Sequence, residues 1–224
     1  MICRDSVADR KRERVRKKDV LVLAGIIFLL SSCVGIKSTV TFNKNGGGSI
    51  VFEYRISKML IEMGGEDSEI PLPISEEDFR FAVAENTALK LNRVSQREDD
   101  EDLYITADVA FEKIEDLTGL DEFGAMPMKL ERTRGNEVTF TQIISEGFPS
   151  GGDDDGESMD EMMASMMAMF EGYELAFTVK TPAPVTYHNL GELSSNRRSV
   201  TYSISFVEII SLSEQTVLIV RWGS

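Results

Sequence analysis

Cys33 is the side chain of this 224-residue sequence best suited to covalent chemistry. Its thiol is a nucleophile once ionised, it lies near the end of the uncharged run from Val20 to Ile36, and two small residues, Ser31 and Ser32, stand just before it. Four other groups invite a chemical reading. Asp153, Asp154 and Asp155 are adjacent carboxylates of the kind that hold calcium. His188 is the single histidine, the side-chain type that titrates near neutrality unaided. Gly46, Gly47 and Gly48 have the backbone freedom of a phosphate cradle. Met159, Met162, Met163, Met166 and Phe170 recur at helical spacing, with Met167 and Met169 widening the apolar surface.

Most of these give way when the chemistry is spelled out. A calcium loop with Asp155 at position 5 and Gly156 at position 6 would start at Gly151, where a carboxylate is required, so residues 147–158 are read as a solvated linker and no metal is expected. No strand-to-helix context or P-loop lysine follows the triple glycine, which is read as a hairpin turn. His188 adjoins a turn at Asn189 and is read as a surface or strand-end residue. There is no GxSxG elbow, HExxH helix or Walker loop. Carboxylates are plentiful, but they cluster in polar, loop-like runs that raise no pKa, so no acid and base pair is nominated. No enzymatic activity and no cofactor are expected. The methionines fit either a helix packed on a sheet or an adaptable groove for an acyl chain or amphipathic partner.

Cys33 gains meaning from what precedes it. Arg4, Arg10, Lys11, Arg12, Arg14, Arg16, Lys17 and Lys18 form a basic segment, and Val20 to Leu30 is an apolar run, the order found in a signal peptide. Leu30, Ser31, Ser32 and Cys33 then resemble the lipobox of bacterial lipoproteins. The resemblance implies cleavage between Ser32 and Cys33, a thioether-linked diacylglycerol on Cys33, and a further amide-linked acyl chain, palmitate being typical. Two or three chains hold a protein firmly to a bilayer, whereas one does so marginally. The rival is an uncleaved transmembrane helix, since Val20 to Ile36 just reaches the length needed to span. Lipidation is preferred because a spanning helix has no use for small residues before a lone cysteine. Either way the remainder is exported and tethered, to the cell membrane or the outer membrane, facing periplasm or exterior. Val34 carries no acidic retention-type signal, which favours onward transport.

Residues 1–32 hold eight of the 24 basic and four of the 38 acidic residues, so residues 33–224 carry 16 and 34, a net charge of −18. Nucleic acid and anionic bilayers would repel that charge as docking surfaces. Cys33 is the only cysteine in residues 33–224, which excludes disulfides and thiolate zinc sites. Those 192 residues suffice for one domain with an unstapled core.

Strand-type alternation dominates this domain. Ile36, Val40 and Phe42, then Ile50, Phe52, Tyr54 and Ile56, flank the glycine turn as a hairpin. Ser75 and Asp78 form a capping box for a helix of about three turns that carries Phe79, Ala82 and Val83 on one face. Leu89 and Leu91 open a strand, Arg97 to Asp102 reads as a turn, and Leu103 to Phe111 alternates cleanly. Leu117 to Phe123 is a short helical or looped crossing. Met128 and Leu130 pair with Val138, Phe140 and Ile144 across Arg134, Gly135 and Asn136. Leu175 to Val179, Val185 to Tyr187, and Val200 to Phe206 are further strands, and Thr216 to Trp222 is expected to lie centrally in its sheet. The fold class predicted is α+β, a mainly antiparallel sheet with two or three helices, one of them Met-rich.

The run from Glu174 through KTPAPVTYHNLGELSSNRRSVTYSI to the terminal VLIVRW resembles the domain of the bacterial lipoprotein family named after mycobacterial LppM. That resemblance implies an α+β domain on a lipid anchor, with lipid or glycolipid binding among the family's properties. The family's membrane-spanning tail has no counterpart before Ser224. Three functions follow in order of preference: a module binding a lipid, glycolipid or other apolar ligand between sheet and helix; a structural or interaction lipoprotein with an acidic face; and a carboxylate-dependent hydrolase.

Overall fold

Apolar side chains at every second position make a strand two-faced, and two-faced strands must combine so that one face is covered. The computed structural model describes residues 34–58, 73, 75–84, 86–119, 127–133, 136–147 and 172–223. In chain order the elements are β1 (Val34–Phe42), β2 (Gly48–Ser57), α1 (Glu76–Ala84), β3 (Leu89–Glu98), β4 (Asp102–Phe111) and a 3-10 turn (Ile114–Gly119). There follow β5 (Met128–Arg132), β6 (Glu137–Ser145), β7 (Glu174–Lys180), β8 (Val185–His188), β9 (Glu192–Leu193), β10 (Ser199–Ser205), α2 (Phe206–Ile210) and β11 (Thr216–Gly223).

The strands divide between two sheets. One has the order β3-β4-β2-β1-β7-β10-β9 and the other β5-β6-β11-β8. Every pairing is antiparallel except that of β1 with β7, so the fold is the expected α+β type with mainly antiparallel strands. β11 lies between β6 and β8, the inner position that its apolar run predicts, although only Leu218, Val220 and Trp222 on one face are buried.

Glycine makes the first hairpin turn feasible. Gly46 has φ 101°, and a Cβ at Gly48 would overlap the Thr41 carbonyl oxygen, so a side chain there would push β1 and β2 apart. At the second hairpin Asn136 takes φ 61°, a left-handed conformation that asparagine tolerates.

Three details differ from the sequence reading. β3 runs through Glu98, because its backbone stays paired with β4 as far as Leu103, which shortens the turn to Asp99–Glu101. The short helical crossing starts at Ile114, ahead of Leu117, and buries both residues. Phe206 leaves the alternation of β10 and begins α2. Ser205 and Glu208 cap that helix reciprocally: the Glu208 amide donates to Ser205 Oγ at 3.1 Å, and the Ser205 amide to Glu208 Oε2 at 3.0 Å. Hydrogen bonds from the Ser205 hydroxyl and then its amide hold the Glu208 carboxyl below its ordinary pKa. The Ser75 and Asp78 box at α1 forms as its spacing predicts, at 2.9 and 3.2 Å.

The inner face of the seven-stranded sheet has two covers. Toward the glycine turn it meets the four-stranded sheet: the Phe42 ring lies 5.3 Å from those of both Phe140 and Trp222, and 6.0 Å from Phe111 in its own sheet. Toward the start of β1 it meets α1, whose Phe79 lies 6.4 Å from the Tyr54 ring. The Tyr54 hydroxyl donates to the Pro73 carbonyl, tying the approach to α1 onto the sheet. Burial first, and the nearby Asp78 carboxylate second, push the Tyr54 hydroxyl well above the usual tyrosine range. It stays a neutral donor at any physiological pH.

Phe140 is fully buried, whereas Phe81 on α1 is 71% exposed. Phe140→Ala is expected to cost about 3–5 kcal/mol through lost burial and a residual cavity. Phe81→Ala is expected to stay within about 0.5 kcal/mol. Urea unfolding midpoints of the two variants measure the contrast.

Candidate functional site

The covers leave a gap where the two sheets diverge. At the end of the sandwich bearing the glycine turn, a partly open cavity of about 140 Å³ lies between the β1–β2 turn, the β5–β6 hairpin, the bend between β7 and β8, and the end of β11. Leu130, Val138, Pro182, Ala183 and Trp222 give it apolar walls, and Asn43, Lys44, Gly46, Arg132 and Gly223 complete the lining. Each strand arrives there for a local reason. The proline-bearing bend after β7 leads the chain from one sheet into the other, since β8 pairs with β11 rather than with β7. Its Thr181 hydroxyl donates to the Ala183 carbonyl at 2.7 Å, which fixes the turn.

Two guanidinium groups are fastened to the carbonyls of lining residues. Arg132 Nη2 donates to the Lys44 carbonyl at 3.0 Å, linking the two sheets across the opening, and Arg198 Nη1 donates to the Pro182 carbonyl at 3.2 Å. Both side chains are exposed, and each bond uses one of five guanidinium N–H donors. The volume is close to that of an engineered apolar cavity of about 150 Å³ that holds one benzene ring. The cavity therefore suits a single ring or the tip of an aliphatic chain.

The opposite end has a wider, polar depression of about 600 Å³ bounded by Arg55, Ser57, Lys58, Asp100, Glu101, Asp102 and Tyr173. Its two cations are already paired. Arg55 lies 3.5 Å from Asp102 and places its guanidinium 4.8 Å from the centre of the Tyr173 ring, while Lys58 reaches Glu98 at 3.3 Å. Asp99 accepts from the amides of Asp102 and Glu101, which hold its carboxyl below the ordinary range. Among the described residues no group of three or more His, Cys, Asp or Glu side chains is placed to hold a metal ion.

His188, at the end of β8, is half-buried and pairs its Nδ1 with the Leu190 carbonyl at 3.2 Å, a local turn contact of the kind its position predicts. Gly46, Gly47 and Gly48 form the hairpin turn. Ser32, Cys33, the acidic run Asp153 to Asp155, and Met159, Met162, Met163, Met166 and Phe170 of the expected ligand groove lie outside the described residues. The cavity itself was not foreseen. Its one sequence signal is the meeting of the single tryptophan with the Pro182 to Pro184 bend, and nothing local places those segments together.

These features define a two-sheet α+β protein with an apolar recess at one end of the sandwich. The NMR structure of the folded domain of Mycobacterium tuberculosis LppM is similar to it over 85% of this chain and 90% of that one, with 13% identity and a TM-score of 0.46. No protein-family model matches the chain, and no curated protein does so.

The Asp99 carboxyl has a lowered pKa, so its hydrogen bonds stabilise the β3–β4 turn above the unfolded-state value and are lost as pH falls through the lower, folded one. A carboxyl NMR titration is expected to place Asp99 below the ordinary aspartate midpoint, with the amide shifts of Glu101 and Asp102 following the same curve.

Proposed function

We propose that this chain is an exported, lipid-anchored, non-enzymatic envelope protein that binds an apolar ligand such as the chain of a lipid or glycolipid. The observation that carries the binding half of this reading is the recess between the sheets, whose walls are Leu130, Val138, Pro182, Ala183 and Trp222. Such a recess departs from the near-crystalline packing of protein interiors. Each methylene that enters the recess contributes about 0.8 kcal/mol. The ligand-free protein therefore gives up stabilisation that an occupant restores.

The anchoring half rests on Leu30, Ser31, Ser32 and Cys33 and on the signal-type segment before them. It locates the protein on an envelope membrane through acyl chains on Cys33. Among the described residues no helix is long and apolar enough to cross a membrane. The non-enzymatic assignment is supported by the lack of a GxSxG, HExxH or Walker motif in the sequence and by the engagement of His188 in its turn.

Two measurements test the reading. Intact mass of the protein from its native membrane is expected to equal residues 33–224 plus acyl chains, and Cys33→Ala is expected to retain the leader and lose the acyl mass. A mass matching the unprocessed chain would overturn the anchor. For binding, a bound ligand at a hundred times its Kd adds about 2.7 kcal/mol of stability. The melting temperature is accordingly expected to rise with an aliphatic ligand in wild type and to rise less in Val138→Phe, which fills the recess. An equal rise in both would place the ligand elsewhere.

A further inference from the structure

We infer that the recess takes a soluble, single-chain anionic amphiphile, tail inward and acid group at the Arg132 and Arg198 rim, from the side facing away from the anchoring bilayer. This rests on the ligand-binding and anchoring readings above and goes beyond them in naming the ligand's charge and its source.

The charge follows from the rim. The sequence carries a formal net charge of −14, yet the mouth of its apolar recess has Lys44 and Arg132 in the lining and Arg198 fastened to the Pro182 carbonyl. Lys180, at the end of β7, stands at the same end of the sheet, paired with Thr41 of β1. Two carboxylates are also at this end, Glu137 opposite Gly223 and Glu115, whose Oε1 accepts from the Leu130 amide at 3.0 Å. Guanidinium groups held by backbone carbonyls keep their position without a ligand, so an incoming carboxylate meets donors already ordered. An uncharged tail would leave those donors to water.

The source follows from strand direction. β1 enters the sheet at Val34, beside Glu174 of β7, and leaves it at Phe42, beside the turn that lines the recess. Its nine residues span about 26 Å at a rise of about 3.3 Å per residue. Cys33 is covalently next to Val34, so an acyl anchor there joins the chain at the far end of β1 from the recess. The strand ends at the anchor side bear the carboxylates Glu98, Asp99, Asp100, Glu101, Asp102 and Glu174 against the cations Arg55, Lys58 and Arg97, an acidic excess that an anionic lipid surface repels. A phospholipid of the anchoring leaflet would have to leave the bilayer and cross that distance, whereas a monomeric amphiphile reaches the rim by diffusion.

Trp222 lines the recess and is the single tryptophan, so its fluorescence reports occupancy without ambiguity. The acylated protein, reconstituted in liposomes, is titrated with ω-bromodecanoate, whose bromine quenches indole on contact. Saturable quenching is expected, and Arg132→Gln/Arg198→Gln is expected to weaken it about tenfold. Arg132→Lys/Arg198→Lys keeps the charge and should lie between the two, with unliganded Trp222 emission confirming that each variant is folded. ω-Bromodecanol is expected to bind more weakly than the acid. Equal quenching by the alcohol and the acid would overturn the anionic assignment while leaving the recess a ligand site. Quenching by liposomes made with acyl-brominated phosphatidylcholine would overturn the soluble source. Saturable quenching by none of the three probes would overturn this inference together with the binding function on which it rests.

Discussion

The contact between the Phe42 ring and those of Phe140 and Trp222 is the one on which the rest of the structure depends. Phe42 belongs to the seven-stranded sheet and its two partners to the four-stranded one, and both centroid distances are 5.3 Å. Tilted aromatic pairs add about 0.5–1.5 kcal/mol each beyond the area they bury. Their larger effect is geometric. By pinning the sheets together just inside the glycine turn, the rings define both the floor of the core and the back of the recess, since Trp222 serves both.

The division of the covering task explains the remaining architecture. A seven-stranded sheet presents more inner surface than a four-stranded one can hide. α1 takes over where the smaller sheet stops, with Phe79 fully buried against Tyr54. The Tyr54 hydroxyl holds the chain ahead of that helix at Pro73, and the Ser205 capping box ends β10 where α2 begins. The recess lies at the opposite end of the same face, lined by the β5–β6 hairpin, the proline-bearing bend and the glycine turn.

Much of this was legible in the sequence, because alternation is a local property. The hairpins around Gly46–Gly48 and around Asn136, the capping box at Ser75, and the inner position of the last strand all follow from residue type and spacing. What local patterns do not carry is partner choice. Nothing in Val185 to His188 says that this segment leaves the strand before it to pair with β11, and nothing in Val34 to Phe42 specifies a parallel neighbour far along the chain. The recess is made of such choices, since its walls come from β5, β6, the bend and β11. The α2 helix was legible in principle: Ser205 and Glu208 have capping-box spacing, but Phe206 also continues the period of two, and the apolar alternation was the louder pattern.

The parallel pairing of β1 with β7 also bears on how the protein reaches its folded state. β1 lies in the interior of the sheet, with Val40 between Ile50 and Val179, so its second edge is satisfied only by residues made much later in synthesis. Sheets that join distant segments form slowly, since the intervening chain must be drawn in before the contacts repay it. Because synthesis runs from the amino terminus, β1 emerges well before β7 and waits with one edge open. The order of emergence thus sets a kinetic interval in which that edge is exposed to neighbouring chains, and Lys37 on β1 is the kind of charged edge residue that discourages such strand exchange.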